Sequence, residues 1–302
     1  MPLTVLRAPG DATALVVEVG SRGIGHIRWL MPAILPSVAI ITNLGLVHLE
    51  TFGSRDAIAD GKWELIEGLT VGGIAILPAG EKRLDRPHPG PTVTFGTGPD
   101  ATVRISDLTS DTAGRPSFVL HANGHELPMT LQMAGSHNAH NAAAALAAAM
   151  SIGVPAETAA AGMAAATGSA WRMEIHTGSF TVVNDSYNAN PTSMEAALRT
   201  VADMPGRSLA VLGQMAELGP VTAHEHERIG ELAAKLGIEE VITVGPDHGL
   251  ARAAGGRNVD DAEQALGWIR ERVRDGDVVL VKASRSVGLE TVADRLTEEA
   301  GA

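Results

Sequence analysis

Between residues 180 and 302 the chain repeats one pattern: a short run of β-branched and aliphatic residues, a polar turn, then a helix-length segment. Strand 180–184 precedes helix 192–203, strand 208–212 precedes helix 223–236, and strand 240–244 precedes a helix near 260–273. Strand 277–282 leads to a last helix from about Gly288. Runs that are apolar at every position belong to strands covered on both faces, and helical crossovers between such strands make a parallel sheet. The pattern predicts a doubly wound, Rossmann-like α/β domain of about 130 residues, an ordinary domain size. No GxGxxG follows any of these strands, so the pattern does not point to a dinucleotide site. Thr222 with Glu225 three residues later predicts a capping box on the second of these helices.

The first half is less regular. Residues 14–20, ALVVEVG, read as an apolar strand carrying Glu18 near its end, and residues 37–43 as a second strand leading to Gly45 and His48. A helix over about 54–69 carries Lys62 and Glu64, and residues 73–78 are a third strand. From 91 to 133 short alternating segments broken by Gly, Pro and Asn predict hairpins, a small antiparallel patch on a parallel-sheet domain. Ser136 is a candidate N-cap for an Ala-rich helix ending at Gly153, with Asn138 and Asn141 on one face, and a second Ala-rich helix follows over 155–167. Residues 1–7 read as the interior of an element. The composition shifts near 168–172, which divides the chain into domains 1–170 and 171–302.

At 302 residues the chain exceeds a usual single domain. Hydrophobic residues are 45% of it and aromatics only 3%, so its cores are Ala, Val, Leu and Ile. It has no cysteine, which excludes disulfides and thiolate metal sites. No leader pattern opens it and no apolar run reaches membrane-spanning length, so a soluble cytoplasmic protein is expected. A net charge of −12 argues against general nucleic-acid binding, yet allows an anionic nucleotide if Mg²⁺ and local cations neutralise it.

The candidate chemistry gathers at strand ends. Asp185-Ser-Tyr187-Asn188-Ala-Asn190-Pro191 follows strand 180–184, where open α/β sheets bind ligands. Glu18 and His48 can ligate a hard cation. Lys62 cannot do so as an ammonium, so it pairs with phosphate or is carbamylated into an oxygen ligand. Arg172 at the domain junction can reach a polyphosphate by a forked contact, or make an inter-domain salt bridge. Lys282, Ser284 and Arg285 after the last strand suit a carboxylate or phosphate. His224 and His226 read as surface histidines. GxxxxGK[ST], the loop that cradles a triphosphate, does not occur, and Gly61-Lys62 lacks its earlier glycine and its Ser/Thr.

Together these strings resemble the Mur ligase family. They are Glu18-Val-Gly-Ser-Arg, Thr42-Asn43-Leu-Gly-Leu-Val-His48, Lys62-Trp-Glu64, Gly135-Ser-His-Asn138-Ala-His-Asn141, Arg172-Met-Glu, Asp185-Ser-Tyr-Asn-Ala-Asn-Pro191, Leu212-Gly-Gln-Met-Ala-Glu-Leu-Gly219 and Lys282-Ala-Ser-Arg285, in family order. The similarity is greatest to the branch that joins D-alanyl-D-alanine to UDP-N-acetylmuramoyl-tripeptide. The resemblance implies a central ATP-binding domain over 1–170, shortened at its start, and a C-terminal Rossmann-like domain over 171–302. It implies an acyl phosphate made from ATP with Mg²⁺, then displacement by an amine. Glu18, His48 and carbamylated Lys62 would hold metal, with His48, Lys62, Arg172 and Asp185 in the catalytic set. Asn138, Asn141, Arg172 and Asp185 would meet the nucleotide. Tyr187, Asn188, Asn190, Lys282, Ser284 and Arg285 would line the dipeptide side, and closure would hinge at 168–172. Family members carry an N-terminal UDP-sugar domain and the triphosphate loop before the point where this chain starts, so the chain alone is expected to be inactive. Asn184, Gln214 and Ala283 also depart from the family pattern. A non-catalytic nucleotide-binding or partner module is the alternative, and an unrelated Rossmann oxidoreductase a distant third.

Overall fold

The computed structural model describes residues 2–45, 49–246 and 248–301. Its strands form two six-stranded sheets. In the first, β1 (Val38–Ile40), β2 (Ile74–Pro78), β3 (Thr92–Gly96), β4 (Val103–Ser110), β5 (Pro116–Ala122) and β6 (His125–Thr130) lie side by side in chain order. Pairing is parallel from β1 to β4 and antiparallel from β4 to β6. The segment expected as an antiparallel patch on this domain is antiparallel over β4 to β6 and continues the same sheet, while β3 within it is a parallel strand. Helix His137–Ser151 explains the alternation there. Phe118 and Leu120 of β5 turn inward onto Ala139, Ala143 and Leu146 of that helix, while their neighbours in β5 point out.

Residues 14–20 overturn an expectation, because they form no strand. Leu15 and Val16 are exposed, and β1 pairs only with β2 among the described residues. An apolar run becomes a strand only where a neighbour supplies its hydrogen bonds and a second layer covers it, and neither is present here.

The second sheet has β7 (Glu174–Thr177), β8 (Thr181–Asn184), β9 (Ser208–Gly213), β10 (Glu240–Val244), β11 (Arg257–Val259) and β12 (Val278–Lys282). Its order is β11-β10-β9-β12-β8-β7, parallel except where β7 meets β8. Two apolar layers cover its faces, one around Met194, Leu198 and Ile229 and the other around Leu266, Val292 and Leu296. This is the expected doubly wound arrangement. The order reverses between β9 and β12, so the crevice at the carboxyl ends of β8, β9 and β12 is the natural ligand position.

The caps follow local chemistry more closely than the sequence patterns suggested. Ser54 accepts from the Ala57 N–H at 3.1 Å and starts helix Arg55–Glu67. Asn190 and Ser193 form a reciprocal capping box on helix Pro191–Ala202. The box expected at Thr222 is absent. Thr222 lies inside helix Thr222–Lys235, its hydroxyl donates to the Gly219 carbonyl, and Glu225 pairs with Arg228. Ser136 stands at the N-cap position of helix His137–Ser151, but its side chain makes no cap bond. No helix among the described residues is long and apolar enough to cross a membrane.

The lobes carrying the two sheets touch away from the chain crossing. The Glu50 N–H donates to the Glu217 carbonyl at 3.2 Å, and Arg22 approaches Glu217 at 3.7 Å. Gly219 adopts a left-handed φ of +57°, and a Cβ added there would stand 2.8 Å from the Glu50 Cα. Gly219→Ala should therefore strain the turn and push Glu50 away, at a cost of about 1–2 kcal/mol. Small-angle scattering should show a larger radius of gyration with the circular dichroism unchanged.

A second structural tie closes the lower edge of the second sheet. Arg207 forks onto Asp277 at 3.2 and 2.8 Å, and the Arg274 N–H adds a third bond at 2.7 Å. Burial works against the Asp277 carboxylate, but these bonds outweigh it and hold the group below its ordinary range. Stability from a depressed carboxyl is present above the unfolded value and lost as pH falls through the folded one. Asp277→Asn should cost about 2–3 kcal/mol near neutrality. In denaturant titrations that gap should shrink as the pH is lowered below about 4.

Candidate functional site

A cleft of about 1410 Å³ opens between the lobes. Glu18, Asn43, His137, Asn138 and Asn141 line it from one side, and Arg172, Asp185, Tyr187, Asn188, Asn190 and Lys282 from the other.

Its floor is an ion pair. Asp185 follows β8 and Lys282 ends the adjacent β12, and their side chains meet at 2.6 Å with Lys282 only 1% exposed. The ammonium also donates to the Asn188 carbonyl at 2.7 Å and faces the Asp185 carbonyl at 3.5 Å. The other Asp185 oxygen accepts from the Met173 N–H at 3.1 Å. Burial pushes the Lys282 amine down and Asp185 opposes that push.

Above the floor stands the crossing segment. The Arg172 guanidinium stacks on the Tyr187 ring at 4.0 Å, and the Tyr187 N–H donates to the Trp171 carbonyl at 3.0 Å. Trp171 and Met173 take left-handed φ values of +61° and +51° on either side of Arg172. Bulky residues rarely adopt this conformation.

Across the cleft the Asn138 amide donates to the Ala134 carbonyl at 2.7 Å and accepts from Asn141 at 3.0 Å, which orients Asn141. The two asparagines share a face, as their spacing requires. His137 is a residue that the sequence patterns did not single out. Burial holds its imidazole below the ordinary histidine range, Asp185 pulls the other way, and Lys282 and His140 add to the lowering. Its one signal was its place inside the Gly135–Asn141 string.

This chain matches the family described as Mur ligase middle domain over residues 1–149, and that described as Mur ligase, glutamate ligase domain, over residues 171–285. It is 35% identical over 99% of its length to the UDP-N-acetylmuramoyl-tripeptide--D-alanyl-D-alanine ligase of Mycobacterium tuberculosis, of which it covers 65%. It is 32% identical over 99% of its length to the protein of the same name in Escherichia coli, of which it covers 68%. The chain belongs to the Mur ligase family. Among solved structures it is similar to MurF of Acinetobacter baumannii, with TM-score 0.88 and 28% identity over 97% of this chain and 66% of that one. It is also similar to MurF ligase of Thermotoga maritima in complex with ADP, with TM-score 0.82 and 26% identity over 92% of this chain and 65% of that one. The chain thus spans about two thirds of the length of the relatives it matches.

In this member of the Mur ligase family several of the expected site residues serve local structure. The Asn190 side chain caps its helix, and Asn188 accepts from the Ala189 N–H at 2.9 Å. Ser284 is buried, donating to the Ala189 carbonyl and accepting from the Ala216 N–H, and Arg285 stacks over Trp171 at 4.3 Å and pairs with Glu290 at 3.2 Å. Neither Ser284 nor Arg285 belongs to the cleft lining. His48 lies outside the described residues. His224 is exposed as expected, but His226 is 2% exposed. It accepts from the Met215 N–H at 2.9 Å through Nε2, and its Nδ1 meets the Thr222 carbonyl at 2.7 Å. A helix that caps a sheet buries one whole stripe, and His226 stands on it.

The metal-side residues surround Asn43. Lys62 lies behind the cleft wall with its amine 2.7 Å from the Asn43 carbonyl, and burial lowers its pKa from the ordinary lysine value. Glu64, two residues on and 1% exposed, accepts from the Gly25 and Arg28 N–H groups. Glu18 with the hydroxyl of Thr42 offers oxygen donors of the kind Mg²⁺ takes. Among the described residues no group of three or more His, Asp or Glu could hold an ion alone. A buried amine loses its proton at lower pH than an exposed one, so it turns nucleophilic sooner as the pH rises. Competitive acylation read by mass spectrometry should place the Lys62 labelling midpoint below 10.5, the ordinary lysine value.

Proposed function

We propose that this chain carries the central domain, residues 1–170, and the C-terminal domain, residues 171–302, of a cytoplasmic ATP-dependent amide-bond ligase of peptidoglycan precursor synthesis. Its substrates are UDP-N-acetylmuramoyl-tripeptide and D-alanyl-D-alanine, and ATP with Mg²⁺ drives the joining. The single observation that carries this reading is the shared cleft, in which Asn138, Asn141 and Glu18 face Arg172 and Asp185 across the lobes. The names of the curated relatives supply the substrates.

The tripeptide carboxylate attacks the γ-phosphate of ATP, releasing ADP and forming an acyl phosphate, and the dipeptide amine then displaces phosphate and loses a proton to form the amide. Bound Mg²⁺ supplies charge neutralisation at the phosphates. The protein's part is alignment and further neutralisation. Arg172 offers a planar, permanently charged fork, and the Tyr187 ring under it limits its swing. Asn141, aimed by Asn138, offers an amide to the base. Glu18 would hold the metal, joined by Lys62 as a carbamate, since a lysine whose burial favours the neutral amine is the form that adds CO₂. Tyr187, Asn188 and Asn190 are placed to border the dipeptide.

Isothermal titration with Mg·ADP tests this reading. Arg172→Met should raise Kd about 10- to 100-fold, the worth of a charge-assisted contact. An unchanged Kd in that variant, or no ADP binding by the unaltered chain, would overturn it.

A further inference from the structure

The Lys282 ammonium has three N–H groups, and three oxygens already face it. They are the Asp185 carboxylate at 2.6 Å, the Asn188 carbonyl at 2.7 Å and the Asp185 carbonyl at 3.5 Å. Nothing is left over for a substrate, and at 1% exposure nothing from the cleft reaches the amine without displacing one of these partners. All three oxygens belong to the turn 185–188, so Lys282 grips one short stretch of backbone and its first side chain.

Asp185 passes that grip on. Its second oxygen takes the Met173 N–H at 3.1 Å, and Met173 is one of the two left-handed residues that flank Arg172. The other, Trp171, is held by its carbonyl, which takes the Tyr187 N–H at 3.0 Å, and by its N–H, which donates to Glu174 at 3.1 Å. An unfavourable backbone conformation persists only where its surroundings over-determine it. Here the surroundings are Glu174 and the 185–188 turn, and that turn is tied to β12 by the Asp185 N–H on the Val281 carbonyl at 2.9 Å and by the Lys282 ammonium.

We infer that Lys282 is a positioning residue for nucleotide binding: acting through Asp185, it holds the 171–173 backbone in the conformation that presents Arg172 to the cleft. This rests on the nucleotide role proposed above for Arg172. It assigns Lys282 to the nucleotide side of the site, although the residue belongs to a strand 110 residues further along the chain than Arg172.

The test is a double-mutant cycle of Lys282→Met, Asp185→Asn and the pair. It is read by thermal midpoint, Mg·ADP titration and amide hydrogen exchange at residues 171–174 and 185–190. Lys282→Met alone removes the ammonium paired with the buried Asp185, so its midpoint should fall, and the pair should recover much of that loss because neither charge remains. The recovery should not extend to function. In the double variant the Met173 amide should exchange at least tenfold faster than in the parent, and the Kd for Mg·ADP should stay at least tenfold raised. Each single variant should show the same Kd loss, with no further loss in the pair.

A double variant that regains both stability and parental Kd would reduce Lys282 to a merely structural role and overturn the inference. So would unchanged exchange at 171–174 in every variant. If the parent chain binds no ADP, the ligase reading fails, but the exchange at Met173 still decides whether Lys282 controls the crossing segment.

Discussion

A carboxylate placed under a cleft stays charged only if its oxygens are matched, because the desolvation cost of an unpaired one is several kcal/mol (order of magnitude). Asp185 meets that condition with one oxygen on the Lys282 ammonium and the other on the Met173 N–H. Three separate pieces of chain thereby converge on one group: the end of β8, the end of β12 and the segment that joins the two lobes. The cleft has a defined floor because those pieces cannot shift independently. The stacked Arg172–Tyr187 pair stands on that floor.

The facing wall is built on a different plan. Helix His137–Ser151 is Ala-rich, so it packs closely on the first sheet through Ala139, Ala143 and Leu146 and brings its first turn to the cleft edge. Its polar residues are concentrated in that first turn, where Asn138 fixes Asn141. A rigid helix end thus opposes a braced loop, with the arginine belonging to the loop side.

The central strands of the second sheet were readable because each holds a run of Val, Leu, Ile or Ala before a polar turn, although β10 leads first to the short helix Leu250–Ala254. The edge strands β7 and β11 were not, since Glu174, His176, Arg257 and Asn258 give them no apolar signature. The first sheet was readable only in part. Alternation in 91–133 correctly marks strands with one open face but says nothing about direction, and β3 runs parallel. Residues 14–20 failed for the opposite reason, as hydrophobicity alone cannot supply a hydrogen-bonding neighbour. At the site, the spacing of Asn138 and Asn141 and the turn after β8 were visible because they are local. The Lys282–Asp185 pair spans 97 residues and the burial of His226 depends on packing, so neither leaves a trace in a short window.

The contact between Glu50 and the 217–219 turn is made by peptide groups and a Cα, with the left-handed backbone of Gly219 giving the close approach. Flexible side chains can stretch and still hold on, whereas two backbones meeting at van der Waals distance are either seated or apart. Any separation of the lobes would therefore break this seat instead of stretching it. A ligand that bridges the cleft would act on this molecule by changing how often the seat is occupied, much as a key turns a bolt between fixed stops.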